Sequence, residues 1–330
     1  METMLVTGGA GFIGSCFVKA CVREGKYHII NLDALTYAGS LDNLEEVSND
    51  ENHLFVHGDI RDRAVVEGIF EAHEIKYVVN FAAESHVDRS IENPQIFLDT
   101  NIKGTQNLMD VALKYWKMDP QDNYSRDYKE GVKFIQISTD EVYGELGEAG
   151  FFVETTPLAP NSPYSASKAG ADLLVQAYHH TYGLPINITR CSNNYGPHQF
   201  TEKLIPLMIT KALSDQALPV YGDGLQVRDW LHVSDHCEAI LSVIESGISG
   251  EVYNIGGNNE WSNIETVRLI LAHLGKSESL ISYVADRPGH DRRYAIDNTK
   301  IKRDLGWQPK YAFEEGLRET VQWYVKRARM

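Results

Sequence analysis

The chain contains 330 residues, of which 43% are hydrophobic and 23% are charged. This length accommodates one large α/β domain, or a domain with a smaller partner, and the composition is ordinary for a globular protein. The formal net charge of −15 argues against a nucleic-acid-binding protein, because a phosphate backbone requires a basic surface.

Neither a targeting signal nor a membrane span is predicted. The first residues run directly into an apolar strand, residues 4–7, without the basic segment and cleavage site of a signal peptide. No apolar stretch approaches the roughly eighteen residues that cross a bilayer. We therefore expect a cytoplasmic protein that does not associate with membranes.

Residues 4–33 carry the clearest architectural pattern. A predicted strand, residues 4–7, leads into a glycine-rich turn and a helix, and a second predicted strand, residues 29–32, ends at Asp33. This order of strand, turn, helix, strand and acid is typical of a dinucleotide-binding unit in a parallel sheet.

Three glycines in this turn, Gly8, Gly11 and Gly14, recur at every third position. Such glycines permit a tight turn, the close approach of the backbone to a pyrophosphate, and the close packing of helix on strand. The pyrophosphate would rest on the helix amino terminus, where free N–H groups favour anions. Asp33, about twenty residues further on, can accept hydrogen bonds from a ribose 2′-hydroxyl and repels a 2′-phosphate. The pattern predicts a site for NAD rather than NADP.

The alternation of strand and helix then repeats. Predicted strands at residues 53–58 and 77–80 are each followed by a helical segment. The first ends at Asp59, which is placed to bind an adenine amino group, and the second leads to the small pair Ala82 and Ala83. This repeat predicts a doubly wound parallel sheet.

The next predicted strand, residues 134–137, leads through Ser138 into Thr139, Asp140 and Glu141. Open parallel sheets bind ligands at the carboxyl ends of their strands. Thr139 offers a hydroxyl to a reacting oxygen, and two adjacent carboxyl groups can acquire different pKa values and act as acid and base. On its own, this triplet also fits a solvated loop at a strand end.

Tyr164 and Lys168 lie four residues apart at the start of a predicted helix, which Pro163 introduces. This spacing places both side chains on one helix face. A phenol is a poor base at neutral pH, but a nearby lysine ammonium stabilises the phenolate and lowers the pKa of the phenol. The pair could then take a proton from an alcohol while hydride leaves the same carbon for a nicotinamide. Taken alone, the motif also fits an ordinary surface turn.

The regular rhythm changes after a predicted strand at residues 185–190. Short strands, irregular loops and clustered cations follow, which indicates a substrate-binding region that shares elements with the main sheet. We assign residues 1–190, with return elements near 229–256, to an NAD-binding domain. Residues 191–228 and 257–330 form the predicted substrate-binding region.

Cations of this region could neutralise a diphosphate despite the acidic total charge. The four candidates are Lys203, Arg228, Arg287 and Arg292. Each of them fits an ordinary surface cation equally well.

The cysteines and histidines predict neither a disulfide nor a metal site. Four cysteines show no Cys-x-x-Cys spacing, so we expect reduced thiols in or near the core. His232 and His236 are four residues apart without an acidic metalloprotease signature, and we expect them on a helix surface.

Together these motifs resemble the extended short-chain dehydrogenase/reductase family, and within it the branch that modifies nucleotide sugars. The resemblance covers essentially the whole chain and rests on residues 7–15, 82–88, 138–144, 164–168, 190–197 and 286–291. The glycine and Tyr/Lys motifs are shared by epimerases, decarboxylases and dehydratases, whereas the triplet Thr139, Asp140 and Glu141 resembles the dehydratases. The resemblance implies a Rossmann-type doubly wound parallel sheet with a smaller, interleaved carboxyl-terminal α/β region that binds a nucleotide sugar.

The implied reaction converts dTDP-glucose to dTDP-4-keto-6-deoxyglucose and water, in deoxysugar biosynthesis of the dTDP-rhamnose type. Tyr164, helped by Lys168 and Thr139, would deprotonate the C4 hydroxyl as hydride passes to NAD. Glu141 would remove the C5 proton, Asp140 would protonate the departing C6 hydroxyl, and the hydride would return to C6. NAD would be held tightly and regenerated in every turnover.

The resemblance also implies ligand contacts, position by position. Those implied for NAD are Gly8, Gly11, Phe12, Ile13, Gly14, Asp33, Ala34, Leu35, Thr36, Asp59, Ile60, Phe81, Ala82, Ala83, Glu84, Ser85, Thr100, Tyr164, Lys168 and Asn194. Those implied for the nucleotide sugar are Ser85, His86, Thr139, Asn193, Lys203, Leu204, Pro219, Val220, Tyr221, Arg228, Asn263, Asp286, Arg287, Pro288, Gly289 and His290. His198 and Thr201 depart from the family pattern, which has an aromatic residue and a proline there.

Family members are typically homodimers joined by two helices from each subunit, which here would lie near residues 95–115 and 164–182. Three other interpretations remain open: a dehydratase or epimerase of a UDP- or GDP-linked sugar, a conventional dehydrogenase that releases NADH, and a catalytically silent NAD-binding regulator.

Overall fold

The computed structural model of the protein describes residues 1–286 and 288–329. Within them the strands are β1 (Glu2–Thr7), β2 (Tyr27–Asp33), β3 (His53–His57), β4 (Ile75–Asn80), β5 (Lys133–Thr139), β6 (Ile186–Cys191), β7 (Asn193–Tyr195), β8 (Leu218–Tyr221), β9 (Val227–His232), β10 (Val252–Ile255), β11 (Glu260–Ser262) and β12 (Ile281–Val284). The α-helices are α1 (Phe12–Glu24), α2 (Arg63–Ala72), α3 (Val87–Glu92), α4 (Pro94–Phe97), α5 (Thr105–Trp116), α6 (Pro163–Tyr182), α7 (Leu204–Leu213), α8 (Val233–Ser246), α9 (Asn263–Leu274), α10 (Thr299–Leu305) and α11 (Phe313–Arg327).

A seven-stranded parallel sheet with the order β10-β6-β5-β4-β1-β2-β3 organises the chain. The chain moves outward from β1 to β3, then returns past β1 to β4 and continues in the other direction. The strand order therefore reverses between β1 and β4, and ligands of such sheets bind outside the carboxyl ends of the strands at that reversal. The predicted doubly wound parallel sheet is confirmed.

Both faces of this sheet are covered by helices. In β1, Met4 and Val6 point to a core that includes Phe17 of α1 and Ile240 of α8. Leu5 points to the opposite core, which contains residues of α2, α5 and α6. Since alternate side chains enter two different cores, β1 is apolar at consecutive positions and needs no polar face.

The helix expected near residues 95–115 is interrupted by a π-helical turn, Leu98–Gly104, between α4 and α5. Asn101 in this turn is buried, and its Nδ2 donates to the Glu84 carbonyl at 3.0 Å and to the Ser167 hydroxyl at 2.8 Å. Its Oδ1 accepts a bond from the Glu84 N–H at 2.9 Å. The turn thus fixes the chain after β4 against the first turns of α6.

The carboxyl-terminal half adds two small sheets, with the orders β11-β9-β7 and β12-β8. They pack with α7, α9 and α11 around a separate apolar cluster that includes Trp230, Ile209 and Leu317. Of the elements near 229–256 that we expected in the main sheet, β10 joins it but β9 does not. The main sheet edge beyond β6 is occupied by β10, and β9 pairs instead with β7 and β11.

The expectation that His232 and His236 lie on a helix surface is wrong. Their exposed fractions are 6% and 0%. His232 caps α8 by accepting the Ser234 N–H at 3.3 Å and stacks on Tyr311. Burial lowers the pKa of His232 to about 4 and that of His236 to about 3, so both rings are neutral packing elements at neutral pH.

The cysteines are free thiols, and three of them, Cys21, Cys191 and Cys237, are buried. In the described part of the chain, no helix combines the length and the apolar character needed to cross a membrane.

Candidate active site

A cleft runs along the carboxyl ends of β1, β2, β4, β5 and β6. The start of α6 and the loop 197–203 between β7 and α7 complete its walls. All five predicted catalytic residues line it, and so do the predicted cofactor residues with the exception of Leu35. The fold therefore gathers segments that are remote in sequence at the sheet edge where the strand order reverses.

The glycine-rich turn has the shape that a pyrophosphate site requires. Gly8 has a φ of 68°, and a Cβ there would lie 2.7 Å from the Ala82 nitrogen. A Cβ on Gly14 would lie 2.2 Å from the Gly8 carbonyl oxygen. At Gly11, by contrast, a Cβ would approach only the Gly8 oxygen, at 3.3 Å. The first and third glycines are thus required by packing, whereas the second leaves the backbone accessible.

No side chain caps the amino terminus of α1, because its N-cap residue is Gly11. The first N–H groups of a helix have no partner within the helix and carry the positive end of the helix dipole. Phe12 and Ile13, which begin α1, line the cleft. The arrangement fits the diphosphate bridge of a dinucleotide.

Asp33 is held rigidly at the end of β2. Its two carboxylate oxygens accept the N–H groups of Ala10 and Leu35, both at 2.8 Å. Burial raises the pKa of Asp33, and these two hydrogen bonds oppose the shift. Leu35 has a φ of 48° and contributes its N–H to Asp33 rather than a side chain to the cleft. The carboxylate keeps lone pairs for a ribose diol.

The predicted adenine contacts Asp59 and Ile60 also line the cleft. Asp59 forms an ion pair with Arg61, with 2.6 Å between Nη2 and Oδ2. The Ile60 carbonyl accepts a hydrogen bond from Asn107 at 2.7 Å, which anchors this loop to α5.

Thr139, Asp140 and Glu141 line the cleft together at the end of β5. Thr139 ends β5 and caps a 3₁₀ turn, Asp140–Tyr143, by accepting the Glu141 N–H at 3.2 Å. Its hydroxyl donates to Asp140 Oδ1, also at 3.2 Å, and acts to lower the pKa of Tyr164.

The two neighbouring carboxyl groups occupy different environments. Asp140 is only 1% exposed, whereas Glu141 is partly exposed. Burial raises the pKa of Asp140 well above its usual range, the charges of Glu141 and Asp229 raise it further, and Arg228 opposes them. These effects favour the protonated form of Asp140, which can donate a proton, as an acid beside a potential base should.

Tyr164 and Lys168 lie on the first turns of α6, which a capping box of Ser162 and Ser165 fixes. Lys168 is buried, and its Nζ donates to the Ile137 carbonyl at 2.6 Å. The expected lowering of the Tyr164 pKa is wrong for this state of the protein. Burial and the charge of Glu141 raise the pKa of Tyr164, and the Thr139 hydroxyl opposes them only in part. Desolvation outweighs a lysine whose ammonium is directed to a backbone carbonyl.

The predicted substrate residues fall into two groups. Ser85, Thr139, Asn193 and Lys203 line the cleft, and Lys203 donates to the Ser85 carbonyl at 2.9 Å. The others lie at the beginnings of α3, α7 and α9, in β9 and around the β8–β12 sheet; they are His86, Leu204, Pro219, Val220, Tyr221, Arg228, Asn263, Asp286, Pro288, Gly289 and His290. Arg287 lies outside the described residues.

Contacts within the second group are specific. His290 is hydrogen-bonded to Asp286 at 2.6 Å and lies edge-on to Tyr221. Arg228 is 5% exposed, donates to the Asp291 carbonyl at 3.0 Å and covers the Tyr294 ring. The guanidinium of Arg228 is therefore buried, and its charge lowers the pKa of Asp140. Arg228 is not the ordinary surface cation that its sequence context also allowed.

Several residues that line the cleft were given no role in the prediction from sequence. They are Leu32, Ala38, Gly39, Gly58, Arg61, Ile96, Ile137, Ser138, Cys191, Ser192, Gln199, Phe200 and Glu202. Most of them adjoin a recognised motif, and their exposure to the cleft follows from loop conformation. Among residues 1–286 and 288–329, no three His, Cys, Asp or Glu side chains are grouped so that they could hold a metal ion.

Comparison with known proteins identifies the family. Residues 5–320 match the family model described as GDP-mannose 4,6 dehydratase. The chain belongs to this family. A dTDP-glucose 4,6-dehydratase from Xanthomonas campestris pv. campestris (strain B100) is 57% identical over 334 residues, which cover 98% of this chain and 93% of the relative.

Solved structures agree with this assignment. The dTDP-glucose 4,6-dehydratase of Bacillus anthracis in complex with NAD is 52% identical and superposes with a TM-score of 0.89, covering 100% of this chain and 98% of that one. The dTDP-glucose 4,6-dehydratase of Streptomyces venezuelae, with NAD and dTDP bound, is 47% identical with a TM-score of 0.91, covering 99% and 98%. The expected nucleotide-sugar-modifying branch is confirmed.

The geometry around Asp33 predicts how the site discriminates between dinucleotides. We expect Asp33→Asn to raise the affinity for NADP relative to NAD by at least about tenfold, because the charge that repels a 2′-phosphate is removed. The control Asp59→Asn should weaken both dinucleotides alike, since its predicted contact is the adenine that both share. Calorimetric titration of cofactor-free protein measures both ratios. An unchanged NADP/NAD ratio for Asp33→Asn would contradict the assignment of the ribose site.

Proposed function

We propose that the protein is a dTDP-glucose 4,6-dehydratase, a hydro-lyase that converts dTDP-glucose to dTDP-4-keto-6-deoxyglucose with NAD recycled in every turnover. The observation that carries this proposal is the pairing of a buried Asp140, whose pKa is raised well above its usual range, with the more exposed Glu141, in the cleft that Thr139 and Tyr164 also line. An elimination needs an acid for the leaving hydroxyl and a base for the proton, whereas a simple alcohol oxidation needs neither carboxyl group.

The dinucleotide site fits NAD. The uncapped start of α1, the accessible backbone at Gly11 and the rigid carboxylate of Asp33 suit its diphosphate and its adenosine ribose. When bound, NAD accepts a hydride from C4 of the sugar and returns it to C6. The cationic nicotinamide also adds a positive charge to the cleft, which favours the Tyr164 phenolate.

In the first step, Tyr164 takes the proton of the C4 hydroxyl. The Thr139 hydroxyl, which lines the same cleft as Tyr164, holds the reacting oxygen in place. Lys168 supplies a positive charge behind the phenol, one helical turn away. The product of this step is a 4-ketone, which acidifies the proton on C5.

In the second step, Glu141 removes the C5 proton and Asp140 donates a proton to the departing C6 hydroxyl. The assignment follows from the environments, because burial raises the pKa of Asp140 and Glu141 is the more accessible carboxyl group. The electron pair of the C5–H bond forms the C5–C6 double bond as water leaves. Hydride addition at C6 and protonation at C5 then give the 4-keto-6-deoxy sugar, without net oxidation.

The dTDP group is proposed from two lines of support. The relatives compared above are dTDP-glucose 4,6-dehydratases, and one of the solved structures has dTDP bound. The residues of the second group, around β8 and the start of α9, include the Tyr221 phenol, the His290 imidazole and the Arg228 guanidinium. We assign residues 191–228 and 257–330 to nucleotide-sugar binding and residues 1–190, with the return element β10, to NAD binding.

The proposed activity is tested by incubating the purified protein with dTDP-glucose and measuring the mass of the sugar nucleotide. We expect the loss of one water without lasting absorbance growth at 340 nm. Glu141→Gln should slow this loss by about 10² to 10⁴, because the base is removed. Glu148→Gln, on the exposed loop that follows, is the matched control and should retain the activity of the parent.

Other outcomes would contradict parts of the proposal. Dehydration of UDP- or GDP-sugars but not of dTDP-glucose would show that the nucleotide is wrong. Steady growth of absorbance at 340 nm would indicate a dehydrogenase that releases NADH. A protein that binds NAD but transforms no nucleotide sugar would be the silent regulator.

We also propose that the protein is a cytoplasmic homodimer. The free thiols suit a reducing compartment. Exposed apolar side chains mark the region of the two expected interface helices, among them Ile91, Leu98 and Leu173. Such side chains on adjacent elements are typical of a protein interface.

Sedimentation tests the dimer. At micromolar concentration we expect the mass of two chains, and Leu173→Glu should shift the protein to one chain because a charge is placed in the apolar interface. Ile248→Glu, at an equally exposed apolar position outside these helices, should leave the dimer intact. A monomeric parent protein would refute the proposal.

A further inference from the structure

We propose that Asp172, held in place by Arg190, is a positioning residue that keeps Lys168 charged inside the buried part of the active site. Asp172 belongs to none of the motifs that define the site. The proposal deepens the proposed function and rests on it, because Lys168 acts there as the cation behind the Tyr164 phenolate.

The three residues lie on one line of α6. Tyr164, Lys168 and Asp172 are four residues apart in turn, and side chains at this spacing are neighbours on a helix face. Lys168 is 4% exposed and Asp172 is 0% exposed. A buried lysine ammonium without an acidic neighbour would tend to lose its proton.

Only one of the two carboxylate oxygens of Asp172 has a hydrogen-bond partner among the described residues. Its Oδ2 accepts the Arg190 Nε–H at 2.9 Å. Its Oδ1 is buried and has no hydrogen-bond partner in the described structure. An oxygen in this state is unfavourable unless a positive charge stabilises it, and Lys168, one helical turn earlier on α6, carries such a charge.

Arg190 is itself fixed by a buried network. Its Nη1 donates to the Tyr143 hydroxyl at 3.0 Å, and that hydroxyl donates to Asn254 Oδ1 at 2.7 Å. Tyr143 ends the 3₁₀ turn that starts with Asp140. The network therefore connects the turn that carries the acid with the helix that carries Tyr164 and Lys168.

Few other charges act on Lys168. From β5 it faces the Ile137 carbonyl, and from β6 it faces the Cys191 thiol, whose pKa burial raises to about 12. Burial lowers the pKa of Lys168, and Asp172 provides the larger of the two opposing effects. The carboxyl groups Asp140 and Glu141 act on Tyr164 instead.

The proposal predicts the direction in which the pH dependence of the rate changes. Lys168 supports the phenolate only while it is protonated, so activity falls as pH rises through the pKa of Lys168. Removal of the Asp172 charge lowers that pKa further. The alkaline limb of the rate must then move to lower pH, which a change in packing alone would not cause.

The test compares the pH dependence of kcat for the NAD-loaded parent protein and Asp172→Asn. We expect the alkaline limb of the variant to lie about one pH unit lower, since an opposite charge nearby shifts a pKa by about one to three units. Asp172→Glu should restore most of the shift. Asp235→Asn, which changes an equally buried carboxylate on α8, should leave the limb in place. An unchanged limb in Asp172→Asn would overturn the proposal.

A double variant controls for misfolding, because Asp172→Asn leaves the Arg190 guanidinium buried without its acidic partner. Asp172→Asn/Arg190→Gln removes both members of the pair and should show the same shift. NMR titration of protein labelled with ¹³C at the lysine ε-carbon measures Lys168 directly, with Lys168→Arg identifying its resonance. A lower midpoint in both variants supports the proposal even if no sugar nucleotide is dehydrated, whereas an unchanged midpoint refutes it independently of the assay.

Discussion

Burial of Asp140 at the end of β5 is the constraint on which the site depends. Burial to 1% exposure and an adjacent second carboxyl group raise the pKa of this residue and favour its protonated form. Glu141, the next residue, turns toward the accessible side because Thr139 caps the 3₁₀ turn and fixes its direction. One short turn thus places the proposed acid, Asp140, and the proposed base, Glu141, in different environments. The proposed elimination depends on that difference.

The surrounding fold maintains this difference. The parallel sheet brings the exits of β1, β4, β5 and β6 to one edge, so the dinucleotide turn and the catalytic corner face the same cleft. The π-helical turn before α5 fixes the chain after β4 against α6 through Asn101. Arg228, supplied by β9 from the smaller sheet, approaches Asp140 and limits how far its pKa rises. Residues from both halves of the chain therefore affect the pKa of Asp140.

Much of this arrangement could be predicted from local sequence patterns. Glycine spacing, the acid after β2 and the Tyr/Lys spacing are short-range features whose geometry a single turn or helix determines, and the structure places all of them in the cleft. The alternation of apolar strands and helices was sufficient for the parallel sheet, because both of its faces are covered.

The failures involve burial, which depends on the whole fold. His236 has the spacing of a surface helix residue but packs against Asn194, with 2.9 Å between Nδ1 and Oδ1. The pKa of Tyr164 is raised because desolvation, which no local pattern shows, outweighs Lys168. The pairing of β9 outside the main sheet is decided by competition with β10 for one sheet edge. Asp172 gave no signal because its partner Arg190 lies on a different element.

The most direct test of the account follows a deuterium label from C4 of the sugar. The protein with bound, unlabelled NAD is incubated with dTDP-glucose deuterated at C4, and the product is analysed by mass spectrometry and NMR. The account predicts a product that has lost one water and carries the deuterium at C6, because the hydride is removed and returned within one closed cycle. Loss of the label to free NADH or to solvent would contradict it.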